Sequence, residues 1–148
     1  SMIVYKIKTI NQFYKNKFNK IPRFAVTGLN PHCESSFNNS EEDKIIKPAI
    51  KIAQKKSLKV KGPFAADTLF IKENFKKFDV IIGMYHDQIL TPLKTLFGFN
   101  AINITLGLPF IRISPDHGPN ASMLGKNLSN PKSLIEALKF LISKVLYS

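Results

Sequence analysis

The sequence predicts an α/β fold with a mixed, largely parallel sheet flanked by helices, and three observations carry that reading. Short apolar runs rich in β-branched residues alternate with amphipathic stretches of helical period. The apolar runs end in polar turns containing Gly, Asn, Asp or Pro. The chain has 148 residues, 44% of them apolar, which is enough for a real core, and no repeat, linker or low-complexity tract divides it. One compact unit over residues 1–148 is expected, with Ser1 read as a tag residue.

Along residues 3–19, Ile3, Ile7, Ile10, Tyr14 and Phe18 recur at three- or four-residue steps between lysines, an amphipathic helix. Residues 23–29 (RFAVTGL) read as a strand, and the polar residues 30–39 as a loop. Ser40 followed by Asp43 resembles a capping box that opens a helix, and Pro48 should kink it or end its first segment. Residues 58–60 read as a short strand running into Gly62-Pro63. Residues 79–85 (DVIIGMY) form a stronger strand that ends in a polar loop, His86-Asp87-Gln88. A helix over 90–97, strands over 101–106 and 109–114, and a loop over 115–120 follow. Asn130 and Pro131 suit the N-cap and first position of a last helix. Its apolar stripe is Leu134, Ile135, Leu138, Leu141, Ile142 and Val145.

Composition excludes several classes of function. No apolar run reaches the roughly 18–20 residues of a membrane span. Lysines interrupt every apolar stretch near the N-terminus, so no signal peptide is read there and a cytoplasmic protein is expected. The net charge of +12 suggests polyanion binding, but the only arginines are Arg23 and Arg112. The lysines travel with Asn, Ile and Phe, a mixture that compositional bias alone produces, and the basic excess lies mostly in residues 1–62, as solvated helix faces would place it, so neither a nucleic-acid nor a membrane partner is expected. Cys33 is the only cysteine, which rules out an intramolecular disulfide and a cysteine-based zinc site. A nucleophilic role for it needs a base alongside; the other reading is a half-buried filler.

In open α/β sheets, ligands gather at the loops that follow the carboxyl ends of strands. His32 and His86 both stand at such positions. Each is either a hydrogen-bonded loop histidine or a ligand for a divalent cation, which accepts neutral imidazole. Asp87 adjoins His86, and Asp67 lies in AADTLF; either suits orienting an imidazole or moving a proton, and Asp67 suits equally a helix N-cap. Lys94, Asn103 and Arg112 are polar groups in apolar surroundings. Arg112 interrupts PFIRIS, where it fits either bidentate recognition of a carboxylate or phosphate or a structural ion pair.

GLNPH (28–32), KGPFAADTLF (61–70), MYHDQ (84–88), LK (93–94) and INITLGLPFIRISPDHG (102–118) occur in this order. With them the chain resembles the 4-hydroxythreonine-4-phosphate dehydrogenase family of pyridoxal phosphate biosynthesis, from Arg23 onward. The resemblance implies an isocitrate/isopropylmalate dehydrogenase-like fold, of which this chain is the C-terminal part of a two-domain enzyme. It implies NAD- or NADP-dependent oxidation of a phosphorylated hydroxy-amino acid followed by decarboxylation. A divalent metal (zinc, magnesium or cobalt) is held by three histidines in that family. His32 and His86 match two of them, and the third falls in a region this chain lacks. Lys94, Asn103 and Arg112 match substrate-binding positions, and Asp67 and Asp87 match catalytic acidic positions near the metal. His117, Gly118 and Asn127 are similar to a loop that contacts the adenosine part of the cofactor. A homodimer with the active site at its subunit interface is implied as well.

The sequence departs from the family in length and in the polar stretch CESSFNNS after His32, where relatives are glycine-rich. Two further readings stay open: a related dehydrogenase for another phosphorylated hydroxy acid, and a basic, non-catalytic domain for binding or dimerisation.

Overall fold

The computed structural model of the chain describes residues 1–33, 40–118 and 121–143. Where the sequence predicts one compact unit, contacts divide the chain into two, Ser1–Pro92 and Leu93–Ser148. The boundary falls at Pro92, a proline inside a helix, where the backbone has no N–H to donate.

In the first unit, α1 (Met2–Phe18) leads into β1 (Arg23–Thr27). A π-helical stretch, Glu42–Ile46, runs directly into α2 (Lys47–Lys55). β2 (Lys59–Phe64), the short helices α3 (Ala66–Leu69) and α4 (Lys72–Phe75), β3 (Val80–Ile82) and the start of α5 (His86–Phe97) follow. The three strands form a parallel sheet in the order β2-β1-β3. Every residue of β1 after Arg23 is buried, as a central parallel strand requires. Phe24 and Val26 pack with Ile7 of α1, with Ile46, Ile50 and Ala53 along the next helical stretch, and with Val60 of β2.

Local chemistry accounts for the main differences from the sequence prediction. The Ser40 hydroxyl does cap the helix, accepting from the Asp43 amide at 3.2 Å. Pro48, at the second position of α2, comes just after the wider π-helical winding. Such a winding accommodates a residue that cannot donate and whose ring crowds the preceding turn. β2 runs longer than predicted, through Gly62 at φ 135°, where a Cβ would run into the Val26 carbonyl oxygen. The register between β1 and β2 shifts at this close approach. His86-Asp87-Gln88 is the first turn of α5 rather than a loop, since Gln88 turns inward to hydrogen-bond the strand ends.

Asp79, just before β3, gathers the N-terminal edge of this unit. Its carboxylate accepts from Lys20 Nζ at 2.7 Å, from the Arg23 amide at 2.9 Å and from Arg23 Nε at 3.1 Å, while Tyr14 donates to its carbonyl at 3.0 Å. The Arg23 guanidinium first, and Lys20 with it, hold this carboxyl far below the usual carboxylate range. A depressed folded-state pKa contributes stability above the ordinary carboxylate pKa and loses it as the pH falls toward the folded value. Asp79→Asn is therefore expected to cost about 2 kcal/mol near neutrality, the scale of charged hydrogen bonds. Urea unfolding at several pH values should give a flatter acid limb for the variant; parallel curves would show that Asp79 does not set the acid sensitivity.

The second unit holds the end of α5, a 3₁₀ turn at Gly98–Asn100, β4 (Ile102–Thr105), β5 (Arg112–Pro115), a 3₁₀ turn at Ala121–Met123 and α6 (Lys132–Ile142). β4 and β5 pair antiparallel, so the mixed character of the predicted sheet resides in two separate sheets. The strand predicted over 109–114 is confined to β5, because Gly107 at φ 91° and Pro109 belong to the connecting turn. α6 starts at Lys132, with Pro131 as its cap, and Asn130 Oδ1 accepts from the Lys132 amide at 3.0 Å. Leu134, Ile135, Leu138, Leu141 and Ile142 are all exposed, although they form the stripe predicted to face a core. Residues 34–39 of the stretch CESSFNNS and the stripe residue Val145 lie outside the described residues. No described helix is long and apolar enough to cross a membrane.

Candidate active site

The carboxyl ends of β1, β2 and β3 lie side by side, and three of the predicted residues follow them directly. After β1, the turn Gly28–Cys33 carries His32, whose amide donates to Asn30 Oδ1 at 2.9 Å, while the Cys33 amide donates to the Asn30 carbonyl at 3.1 Å. Asn is suited to this turn because its short carboxamide bonds the backbone two residues on. After β2, Asp67 lies in the first turn of α3, where Ala65 rather than Asp67 is the cap; its carboxylate accepts from the adjacent Thr68 amide. After β3, His86 opens α5, and its Nδ1 lies 2.6 Å from Asp87 Oδ1. Both of these side chains are exposed, and it is Nδ1 rather than Nε2 of His86 that meets the carboxylate.

Cys33 is half-buried, and burial first, with Glu42 and Asp67 nearby, pushes its thiol up. That supports the filler reading, since the reactive species is the thiolate. Among the described residues no group of three or more His, Cys, Asp or Glu side chains is placed to hold a metal ion. Imidazole nitrogens are donors of the kind that zinc or cobalt accepts, so His32 and His86 could supply two ligands of a set that needs another donor.

In the second unit, Asn103 is paired with Ser114 and Thr105 with Arg112 across β4 and β5. Directly opposed residues share a face, so Asn103 and Arg112 lie on one side of this ribbon, and Ile102, Ile104 and Ile113 on the other. Arg112 donates to Thr105 Oγ1 at 2.8 Å. A hydroxyl partner, unlike a carboxylate, leaves the guanidinium charge available, which removes the ion-pair reading of Arg112 among the described contacts. Lys94 donates to the Asp116 carbonyl at 3.0 Å and lies 3.7 Å from its carboxylate. His117 and Gly118 line an open groove of about 620 Å³ with Phe99, Met123, Leu128, Ser129 and Asn130. Asn127 lies one residue outside that lining, in a left-handed turn at φ 52°.

A family model described as pyridoxal phosphate biosynthetic protein PdxA matches residues 1–141. The chain belongs to this family. Among curated relatives of the PdxA chain, the 4-hydroxythreonine-4-phosphate dehydrogenase of Sulfurihydrogenibium sp. (strain YO3AOP1) is 45% identical over 142 residues, covering 95% of this chain and 44% of the relative. The enzyme of the same name from Ruegeria sp. (strain TM1040) is 50% identical over 119 residues, 80% of this chain and 36% of its own. The crystal structure of 4-hydroxythreonine-4-phosphate dehydrogenase from Klebsiella pneumoniae superposes with a TM-score of 0.78 at 34% identity, covering 95% of this chain and 43% of that one. The fold is thus the isocitrate/isopropylmalate dehydrogenase-like α/β fold of these proteins. The chain spans less than half the length of the relatives it matches.

Two residues that build the site were missed in the sequence. Glu42 is 1% exposed, and Gln88 7%. Glu42 Oε1 accepts from the Asn30 amide at 2.6 Å; that bond foremost, with help from the Leu29 and Glu42 amides and the Ser40 hydroxyl, lowers its pKa despite burial. Gln88 Oε1 accepts from Thr27 Oγ1 at 2.6 Å and the Met84 amide at 2.8 Å, and its Nε2 donates to the Gly28 carbonyl at 2.8 Å. For Glu42 a signal was present: it falls on the same helical face as Ile46, Ala49, Ile50 and Ala53, where a carboxylate must find partners. For Gln88 the signal was its place in MYHDQ; nothing in its spacing shows an inward-facing amide.

Proposed function

We propose that this chain is the C-terminal part of a two-domain 4-hydroxythreonine-4-phosphate dehydrogenase. Its reaction is NAD(P)-dependent oxidation of 4-phosphooxy-L-threonine followed by decarboxylation to 3-amino-2-oxopropyl phosphate. The observation that carries this reading is the placement of His32, Asp67 and the His86–Asp87 pair after three neighbouring parallel strands. Ligand sites of α/β sheets form at such strand ends. His32 and His86 hold a divalent cation (zinc, magnesium or cobalt) together with a donor from outside this chain. When bound, that cation supplies Lewis-acid polarisation at the substrate's reacting oxygen. Asp87 orients the His86 imidazole through Nδ1 and leaves Nε2 for coordination. Asp67, exposed on the same end of the sheet, takes or returns a proton.

In the second unit, Arg112 and Asn103 on one face of the β4–β5 ribbon, with Lys94, grip the anionic substrate. The groove lined by His117 and Gly118, together with the turn at Asn127, receives the adenosine portion of the nucleotide. The exposed stripe of α6 supports the reading as part of a larger fold. Among the described residues of this unit only Ser133 and Ala137 are buried. A two-stranded ribbon and one helix bury too little to stand alone and need a covering layer. The enzyme acts in the cytoplasm as a homodimer with its active site at the subunit interface.

Turnover tests the proposal. The chain is combined with a polypeptide spanning the rest of the Sulfurihydrogenibium relative and supplied with NAD, zinc or magnesium, and 4-phosphooxy-L-threonine. NADH formation by the combination, and none by the chain alone, is the expected result. A folded combination that leaves this substrate untouched would refute the assigned reaction. Turnover by the chain alone, at a rate near that of a full-length relative, would refute its being an incomplete part.

A further inference from the structure

Glu42 and Gln88 are both buried, and between them their hydrogen bonds reach both histidine-bearing segments. Gln88 bridges three backbone or side-chain groups on two strands: Thr27 at the end of β1, Gly28 just beyond it, and Met84 just beyond β3. It thereby ties the exits of β1 and β3 to the first turn of α5, two residues from His86 itself. Glu42 holds the Asn30 amide, and Asn30 in turn accepts from the His32 amide through Oδ1. Gly28 makes room for this arrangement, since a Cβ there would crowd both Cys33 Sγ and Glu42 Oε1. The same bonds satisfy the Asn30 and Met84 amides and the Gly28 carbonyl, which an apolar pair would leave without these partners.

We infer that Glu42 and Gln88 are positioning residues: they fix the two strand exits from which His32 and His86 are presented to a divalent cation. The inference rests on the reading of these histidines as ligands. Outer residues of this kind fix ligand orientation, and their loss weakens metal affinity by about 10–100-fold.

Cobalt(II) binding to the chain combined with the rest of the family fold, followed by visible absorption, provides the test, with circular dichroism to confirm that each variant assembly is folded. Glu42→Ala and Gln88→Met are expected to weaken cobalt binding by about 10–100-fold. Glu42→Gln, which keeps an acceptor oxygen for the Asn30 amide, should bind like the parent. If Glu42→Ala does not fold, Asn30→Ala keeps the backbone amide that Glu42 holds but removes the Oδ1 that accepts from the His32 amide; it breaks the next link toward His32 at an exposed turn and should weaken binding in the same direction. Folded variants that bind cobalt as the parent does would overturn the inference and leave these residues as fold-stabilising only. A folded parent assembly that takes up no cobalt would instead refute the ligand reading, and the inference would fall with it.

Discussion

Replacing Phe24 by alanine is expected to unfold the Ser1–Pro92 unit under conditions in which the parent remains folded. Phe24 is fully buried at the centre of the three-stranded sheet, in contact with the cluster that joins both flanking helices to β1 and β2. Truncation removes the transfer free energy of the ring and leaves a cavity that a parallel strand, hydrogen-bonded on both sides, cannot collapse to fill. The cost is about 3–5 kcal/mol, the range for buried phenylalanines. Domains of this size are stable by only roughly 5–15 kcal/mol, so the loss removes a large share of the margin. Urea unfolding followed by circular dichroism reads it as a fall in midpoint. A shift equivalent to less than about 1 kcal/mol, the scale of ordinary substitutions, would mean that β1 is not the centre of this core.

His86→Ala is expected to have the largest effect on chemistry. Its imidazole follows β3, is exposed, and has Nδ1 held by Asp87, so truncation removes a donor without opening a cavity. In the completed enzyme, turnover should fall on the order of 10³-fold, the scale at which a lost electrostatic stabiliser of the transition state is felt. Asp87→Asn keeps a hydrogen-bonding group beside the ring and should cost less, about 10–100-fold. The ratio of the two discriminates between roles. Equal losses would place the chemistry on Asp87 rather than on the imidazole, and no loss in either would remove this pair from the site.

Much of this architecture is legible in the sequence because periodicity and turn chemistry are local. The helix at Met2–Phe18 follows from its three- and four-residue apolar steps, and the strand Arg23–Thr27 from its apolar run closed by Gly-Leu-Asn-Pro. The positions of His32 and His86 at strand ends follow from the same punctuation. What is not local is harder to read. The inward turn of Gln88 depends on groups from Thr27 and Gly28, 61 and 60 residues away in sequence, so a polar tripeptide reads as a loop. The stripe of α6 illustrates the opposite case: the apolar face is plain in the sequence, but Leu134, Ile135, Leu138, Leu141 and Ile142 are exposed rather than packed in a core. Likewise Asp67 looks like a cap by its residue type, while the helix starts at Ala66, two residues earlier than that role allows.

Metal content of the completed enzyme tests the central claim most directly. Assemblies of this chain with the remainder of the family fold, as the parent, His32→Ala and His86→Ala, would be loaded with zinc, dialysed and analysed for bound metal. The account predicts that the parent retains zinc in stoichiometric amount and that each single substitution loses it. Retention of zinc at the parent level by both folded variants would contradict the account.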